Sequence, residues 1–292
     1  MSRKFPREVK RVVVKVGSSL IATFKMKPKR AKLSSLVAQI SKISSQGRQV
    51  VLVSSGAIVL GMGELNEPTR PTDLASLQSR AAIGQAVLMR MYSDLFKKNK
   101  LKCAQILLTW DDFANRVRYN NARNTFVSIL RKGVIPIVNE NDTISTDEIK
   151  FGDNDKLSAL VAGLIHADLL LILSDVEGLY DFKSSDRKVF DEIREVTDEI
   201  KQIASGSSAN KKNMSKGGMS AKLEAIKIAT HSNVPCVIAH GETPDLLPRI
   251  LNGERIGTFF VEKDSRGSAD LHPSRNSGDI QWVEIGSKNK TG

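Results

Sequence analysis

Apolar runs of strand length alternate with longer segments of mixed polarity along this chain. The apolar runs are rich in Val, Ile and Leu and cover residues 9–16, 49–53, 103–109, 134–138, 168–173 and 234–239. The segments between them have helical length and cover residues 29–46, 73–98, 120–132, 155–166 and 219–232. Apolar strands that alternate with helices are typical of a parallel sheet covered on both faces. The pattern therefore predicts an α/β fold, a three-layer α/β/α sandwich around a mostly parallel central sheet.

The composition is that of a soluble globular protein, with 40% hydrophobic and 26% charged residues among 292. Cys103 and Cys236 each lie inside an apolar run, which favours buried free thiols in a reducing compartment over a disulfide. The most apolar window, residues 157–176, is interrupted by one histidine and two aspartates, unlike a membrane span. No apolar segment follows the basic N-terminal residues as in a secretory signal. We therefore expect a cytoplasmic protein that does not bind membranes.

The net charge of +12 is concentrated at one end of the chain. Residues 1–30 hold ten basic residues and one acidic residue, so the remaining chain has 34 basic against 31 acidic residues and a charge of only +3. Aromatic residues make up 5% of the chain, which is few for stacking on bases. We expect a solvated basic tail and a basic lip for anionic ligands, and no nucleic-acid partner. An RNA-binding protein is an alternative that rests on charge alone.

The common nucleotide-binding fingerprints are absent. The spacing from Gly56 to Gly61 matches a P-loop, but Met62 follows where a P-loop has lysine. No Gly-x-Gly-x-x-Gly segment follows a strand, so a Rossmann dinucleotide site is disfavoured as well.

Small polar and basic residues instead stand where predicted strands end or helices begin. Lys15 and Gly17 close the first strand, Ser55 and Gly56 follow the second, and residues 139–142 follow the fourth. Each segment alone has a plainer explanation: a lysine that reaches solvent, a helix N-cap or a flexible turn. Together they indicate one site for phosphates and a small polar substrate, because strand ends and helix N-termini leave backbone N–H groups free.

Metal-ligand and nucleophile patterns are also missing. The four histidines have no ligand spacing, and residues 153–155 (DND) lack the glycine and distal glutamate of a calcium loop. No Ser/His/Asp or Cys/His arrangement is evident. A phosphoryl transfer to a carboxylate fits this inventory, because that acceptor is already ionised at neutral pH and needs positive charge rather than a general base.

Taken together and in this order, the motifs resemble the amino acid kinase family over residues 9–261. They read VKVGSS (14–19), SSGAI (54–58), NEND (139–142), FGDND (151–155), LSAL (157–160), SD (174–175), GLY (178–180) and GGMSAK (217–222). The pattern resembles the branch of the family that acts on glutamate. The resemblance implies ATP-dependent phosphorylation of the side-chain carboxylate of L-glutamate to L-glutamyl 5-phosphate, the first step of proline biosynthesis, with Mg²⁺ as cofactor.

The resemblance also implies roles for individual residues. Lys15 and Lys222 would stabilise the phosphoryl group in transit, and Asp155 would hold both lysines. The glutamate-binding residues would be Ser55, Gly56, Asp142 and Asn154. The ATP-binding residues would be Lys15, Gly17, Ser174, Asp175, Lys216, Gly217, Gly218, Met219, Ser220 and Lys222, and no direct protein ligand is assigned to a metal. Relatives imply feedback inhibition by L-proline and a homo-oligomer, a dimer or tetramer.

The domain organisation that follows is a basic N-terminal extension (1–8), an amino acid kinase domain (9–262) and a C-terminal tail (263–292) with one possible strand at 279–285. No separate RNA-modification-type domain is expected. Lys216 stands where the family loop has a small polar residue, so nucleotide affinity or choice is expected to differ. The alternatives are another member of the family, of acetylglutamate kinase, aspartokinase or uridylate kinase type, and a non-catalytic amino-acid sensor on the same fold.

Overall fold

A computed structural model describes residues 2–145, 154–181, 188–206 and 218–263. Eight strands form one sheet in the order β3-β4-β2-β1-β5-β7-β8-β6. Neighbouring strands are parallel except for β7 and β8. The strands are β1 (Arg11–Val16), β2 (Gln49–Ser54), β3 (Cys103–Leu108), β4 (Ile135–Glu140), β5 (Leu169–Ser174), β6 (Glu192–Ile193), β7 (Cys236–His240) and β8 (Thr258–Phe260).

Helices lie on both faces of this sheet. In the described residues they are α1 (Ser18–Ile21), α2 (Arg30–Ser45), α3 (Ala57–Glu64), α4 (Leu74–Lys98), α5 (Trp110–Ala114), α6 (Arg116–Arg131), α7 (Asn154–Leu164), α8 (Asp198–Gly206), α9 (Met219–His231) and α10 (Leu246–Leu251). The helices α3 and α4 approach very closely, since a Cβ on Gly84 would lie 1.8 Å from the carbonyl oxygen of Ala57. Glycine is therefore required at that crossing.

Alternate residues of the central strand explain why the protein has three layers. Val12 and Val14 belong to one apolar cluster with residues of α2 and α4, whereas Val13 belongs to a second cluster with residues of α7 and α9. All three valines are fully buried, because β1 lies between β2 and β5 and has helices on both faces. The predicted α/β/α sandwich with a mostly parallel sheet is confirmed.

The six predicted strands and five predicted helices are all present, with ends that differ by at most four residues. The largest difference is at α6, which begins at Arg116 rather than 120. Its start is set by Asn115, whose side chain accepts hydrogen bonds from the backbone N–H groups of Val117 and Arg118, each at 3.1 Å. The short elements α1, α3, α5, α8, α10, β6 and β8 were not predicted. The possible strand at 279–285 lies outside the described residues.

Arg3 is buried against the domain, so the prediction of a solvated tail is wrong for this residue, whereas Ser2, Lys4, Pro6, Arg7 and Glu8 are exposed as predicted. The Arg3 side chain is only 4% exposed and donates hydrogen bonds to the carbonyl oxygen of Ile256 at 3.0 Å and to the Asp191 carboxylate at 3.2 Å. Its guanidinium also lies 5.4 Å from the ring centroid of Phe259. An arginine here satisfies several carbonyl groups at the β6–β8 end of the sheet.

Two further predictions concern cysteines and membrane spans. Cys103 and Cys236 are both free thiols, as predicted, but only Cys236 is fully buried and Cys103 is half-buried. Burial raises the pKa of each thiol. Among the helices in the described ranges, none combines the length and apolar character needed to cross a bilayer.

Candidate active site

Polar residues of five parallel strands meet at the carboxyl edge of the sheet. The strand β1 is central, with β2 and β4 on one side and β5 and β7 on the other. The chain passes from β1 to β2, β3 and β4 on one side and then to β5 and β7 on the other, and ligands of open α/β sheets bind at such a switch point. The site can therefore be described in three parts: a charged centre at β1, an amide-rich side at β2 and β4, and a side at β5 and β7.

The charged centre is a buried carboxylate between two lysines. Lys15 Nζ lies 2.6 Å from Asp155 Oδ1, and Lys222 Nζ lies 3.1 Å from Asp155 Oδ2. Asp155 is 1% exposed, and each lysine is 6% exposed. Two cations held by one anion leave a net positive charge at the edge of the sheet, which suits an anionic ligand.

The ionisation of Asp155 depends on both lysines. Burial alone raises the pKa of this carboxyl group, because a charged form is poorly solvated inside the protein. The positive charges of Lys15 and Lys222 and their hydrogen bonds outweigh burial, so the pKa of Asp155 lies below its ordinary value of 3.8. Asp155 is therefore an anion throughout the neutral pH range.

Local structure explains how three distant residues meet. Lys15 follows Val14 in β1 and emerges near the end of that strand, while Asp155 is in the first turn of α7 and Lys222 in the first turn of α9. Gly218 is the N-cap of α9 and provides no side-chain cap. The N–H groups of that first turn therefore lack intrahelical partners and point toward the same edge.

The amide-rich side is organised by Asn154. Its Nδ2 donates to the carbonyl oxygen of Ser54 at 3.1 Å, to Ser55 Oγ at 3.0 Å and to Asn139 Oδ1 at 2.9 Å. Asn139 Nδ2 donates in turn to Gln85 Oε1 on α4 at 2.9 Å. Residues at the ends of β2 and β4 are thereby joined to the start of α7, next to Asp155.

Gly56 allows the chain to turn directly after Ser55. Its φ of 97° is in the left-handed region, and an added Cβ would lie 2.9 Å from Ile21 Cγ2. Glycine thus brings the backbone of β2 and α3 close to α1. The place of Gly56 in the substrate site stays a prediction from the family resemblance.

Asp142 follows β4 and lies near a basic side chain that the sequence did not single out. Burial lowers the pKa of Arg70, and the negative charge of Asp142 partly offsets this effect. The buried Nε of Arg70 has no hydrogen-bond partner within the described ranges. Arg70 lies in a Pro- and Thr-rich loop, where nothing in the local pattern distinguishes it from a solvated surface residue.

The third part of the site is formed by β5 and β7. Ser174 is buried, its hydroxyl donates to Asp175 Oδ1 at 3.1 Å, and its carbonyl oxygen accepts from the backbone N–H of Gly241 at 2.8 Å. Gly17 and Gly218 to Ser220 also lie at this edge of the sheet. The predicted ATP residues Lys216 and Gly217, and residues 151–153 of the FGDND motif, lie outside the described residues.

Three residues that contribute to the site were not predicted as ligands: Ser54, Gln85 and Asn139. Asn139 and Ser54 are polar residues at the ends of apolar strands and lie in motifs that the sequence singled out, although no ligand role was assigned to them. Gln85 gave no such signal, because it is one polar residue within a long helix.

No group of three or more His, Cys, Asp or Glu side chains that could hold a metal ion exists within the described part of the chain. The chemistry available there comes from lysine ammonium groups, side-chain amides, hydroxyls and backbone N–H groups. These groups bind phosphates, carboxylates and ammonium groups. A site of this composition suits small anionic and zwitterionic ligands.

The chain belongs to the amino acid kinase family, whose family model matches residues 10–240. Within that family it is similar to glutamate 5-kinases, which confirms the resemblance inferred from the motifs. It is 45% identical to the glutamate 5-kinase of Clostridium perfringens over 268 residues, covering 89% of this chain and 98% of the relative. It is 44% identical to that of Carboxydothermus hydrogenoformans over 268 residues, covering 90% of this chain and 71% of the relative.

A solved structure supports the fold independently. The UMP kinase from Bacillus anthracis superimposes with a TM-score of 0.58 at 17% identity, covering 88% of this chain and 97% of that chain. At this identity the similarity establishes the shared fold alone.

Proposed function

We propose that the protein transfers the terminal phosphoryl group of ATP to the side-chain carboxylate of L-glutamate, forming L-glutamyl 5-phosphate in the first step of proline biosynthesis. The observation that carries this proposal is the buried Lys15–Asp155–Lys222 group at the carboxyl edge of the sheet. The similarity to glutamate 5-kinases over about nine tenths of the chain supports the choice of substrate.

The transfer is a direct displacement at phosphorus. A side-chain carboxylate has an ordinary pKa of about 4.3, so glutamate reaches the site as the nucleophile and requires no general base. One of its oxygens forms a bond to the terminal phosphorus while the bond from that phosphorus to the bridging oxygen of ADP breaks. Lys15 and Lys222 stabilise the negative charge spread over the phosphoryl oxygens.

Asp155 acts by positioning these lysines. Two buried ammonium groups would repel each other and would be poorly solvated without an anion between them. Asp155 binds one lysine with each of its oxygens, so both are fixed before substrates arrive. Preorganised charge of this kind lowers the barrier without a reorganisation cost at the moment of transfer.

Glutamate would lie on the amide-rich side of the site. Asp142 carries the charge needed to bind the substrate ammonium group, while Ser55 and Asn154 offer neutral hydrogen-bonding groups close to Asp155. Gly56 would let the substrate approach the backbone. This placement directs the side-chain carboxylate of glutamate toward Lys15 and Lys222.

ATP would lie on the other side, with its phosphates at the N-terminus of α9. Gly218, Met219 and Ser220 would present backbone N–H groups, and Gly17 would leave room beside Lys15, since an added Cβ there would be 3.8 Å from Lys15 Nζ. Ser174, Asp175, Lys216 and Gly217 would complete this part of the site.

The residues present fit a Mg²⁺ ion that is held mainly by ATP. The described residues offer phosphate-binding cations at this edge and no carboxylate cluster for a metal, and Mg²⁺ bound to nucleotides takes most of its ligands from phosphates and water. The ion would supply positive charge to the phosphate oxygens. We further propose a cytoplasmic homo-oligomer that L-proline inhibits, as the family resemblance implies.

The reaction can be tested by trapping the acyl phosphate with hydroxylamine in the presence of Mg²⁺-ATP. We expect a hydroxamate with L-glutamate and none with acetylglutamate, aspartate or UMP. The variants K15M and K222M should reduce kcat by about 10² or more, because each removes a charge at the transferring group. A matched control is K156M, since Lys156 neighbours Asp155 but is 37% exposed and pairs with Glu224. Equal kcat values for all three variants would refute the assigned roles.

A further inference from the structure

A line of three side-chain amides runs from the proposed glutamate site into the protein interior. It connects Asn154 to Asn139 and Asn139 to Gln85, with both donor–acceptor distances at 2.9 Å. Asn139 and Gln85 are buried, at 2% and 9% exposure. Gln85 is therefore remote from bulk solvent yet joined to the site by two hydrogen bonds.

One backbone carbonyl identifies the direction of every amide in the line. The Ser54 carbonyl oxygen can only accept, so the Asn154 atom that faces it must be the donor Nδ2. Asn154 Nδ2 also faces Asn139, whose atom at that contact must then be the acceptor Oδ1. Asn139 consequently presents its Nδ2 to Gln85, and Gln85 must present Oε1. The polarity of the line is thus determined from one end to the other.

When Gln85 accepts from Asn139 in this way, its own Nε2 donor is left without a partner. With Oε1 directed at Asn139, its buried Nε2 has no hydrogen-bond partner in the part of the chain that the structure describes. A buried donor without an acceptor is unfavourable and uncommon in folded proteins. Stability alone does not explain a glutamine at this position, whereas orientation of Asn139 does.

At the substrate end of the line, these hydrogen bonds orient the amide of Asn154. Its Nδ2 points at three acceptors, so its Oδ1 points away from them as an acceptor that no described residue occupies. The ammonium group of an amino acid is a donor that suits such an oxygen, together with a carboxylate such as that of Asp142. A reversed Asn154 amide would present N–H groups to that ammonium instead.

We propose that Gln85 is a positioning residue for amino-acid recognition. It holds Asn139 with Oδ1 toward Asn154, and Asn139 then acts together with the Ser54 carbonyl to orient the Asn154 amide, so that Asn154 Oδ1 accepts a hydrogen bond from the substrate ammonium group. This proposal rests on the proposed function, in which L-glutamate is the acceptor substrate.

The test compares Q85M, which removes the acceptor at nearly constant volume, with the wild-type protein in the hydroxamate assay. The KM for glutamate should rise about tenfold, as for one lost hydrogen bond to a charged group, while the KM for ATP should change less than about twofold. Glutarate has both carboxylates of glutamate but no ammonium group. Its inhibition constant against glutamate should therefore stay within about twofold of the wild-type value.

Q85E is the matched control, because it keeps an acceptor toward Asn139, and its KM for glutamate should remain within about threefold of wild type. Three results would each overturn the proposal: an unchanged KM in Q85M, an equal rise of the glutarate constant, or a tenfold rise of KM in Q85E. A wild-type protein without glutamate turnover would instead reject the proposed function itself, before any variant is compared.

Discussion

Asp155→Asn is the substitution that most directly perturbs the charged centre. The change keeps the size of the side chain but removes the anion that lies 2.6 Å from Lys15 and 3.1 Å from Lys222. Removing one partner of a buried ion pair costs about 3–5 kcal/mol, because the remaining charge is left without compensation. For a domain of this size each kcal/mol corresponds to roughly 2–4 °C, so Tm should fall by about 6–20 °C.

Turnover should fall as well, because neither lysine would be held in place. We expect kcat to decrease by about 10²–10³, comparable to the loss of a group that stabilises developing charge. Differential scanning calorimetry and the hydroxamate assay measure the two effects on the same preparation. The KM for glutamate should change less than kcat, since the centre acts mainly in the transition state.

The control is E224Q, which removes a carboxylate that joins the same two helices. Glu224 on α9 lies 2.7 Å from Lys156 on α7, but their side chains are 57% and 37% exposed. An exposed pair contributes only about 0–1 kcal/mol, so E224Q should leave Tm and kcat nearly unchanged. If D155N affected both quantities no more than E224Q does, the reasoning about the buried centre would be refuted.

Three further predictions test the pH dependence, the backbone and the N-terminus. The folded-state pKa of Asp155 is depressed, so its contribution to stability is present above the ordinary pKa of 3.8 and is lost as pH falls through the folded-state pKa. D155N should therefore flatten the decrease of the free energy of unfolding at acid pH. An unchanged decrease would contradict this. Gly56→Ala should lower the free energy of unfolding in urea by about 1–3 kcal/mol. Gly47 also has a positive φ, of 85°, but nothing lies within 4 Å of an added Cβ, so Gly47→Ala should cost less. Equal losses would contradict the close approach of Gly56 to Ile21. Arg3→Ala should lower the free energy of unfolding by about 2–4 kcal/mol, because it leaves buried carbonyl groups unpaired. Arg255 binds the same carboxylate but its side chain is 49% exposed, so Arg255→Ala should lower the free energy of unfolding by only about 0–1 kcal/mol. The reverse order would contradict the burial of Arg3.

The fold was largely predictable because its central strands are buried on both faces. Continuous runs such as Val12–Val14 can only be strands or buried helices, and their length and spacing favour strands. The short strands β6 and β8 were not predictable in the same way. They have two and three residues, too few for a periodic pattern, and their pairing depends on contacts between distant parts of the chain.

The candidate site was predictable where polar residues interrupt an apolar pattern. Lys15 is conspicuous among valines, and Asp155 and Lys222 each begin a helix. Their mutual contact required the fold, since 140 residues separate Lys15 from Asp155 in the sequence. Gln85 could not be found, because its role comes from the direction of an amide rather than from its residue type. The environment of Arg3 was misjudged, since composition does not reveal that this side chain is packed among carbonyl groups.

The attack of the glutamate side-chain carboxylate on phosphorus can be tested by following one of its oxygen atoms. The substrate would carry ¹⁸O in its side-chain carboxylate, with unlabelled water, Mg²⁺-ATP and hydroxylamine present, and the released phosphate would be analysed by mass spectrometry. If the carboxylate attacks phosphorus, that oxygen becomes the bridge of the acyl phosphate and leaves with the phosphate when hydroxylamine attacks the carbonyl carbon. One ¹⁸O is then expected in each phosphate formed. Phosphate that contains only oxygen from ATP and water would contradict it.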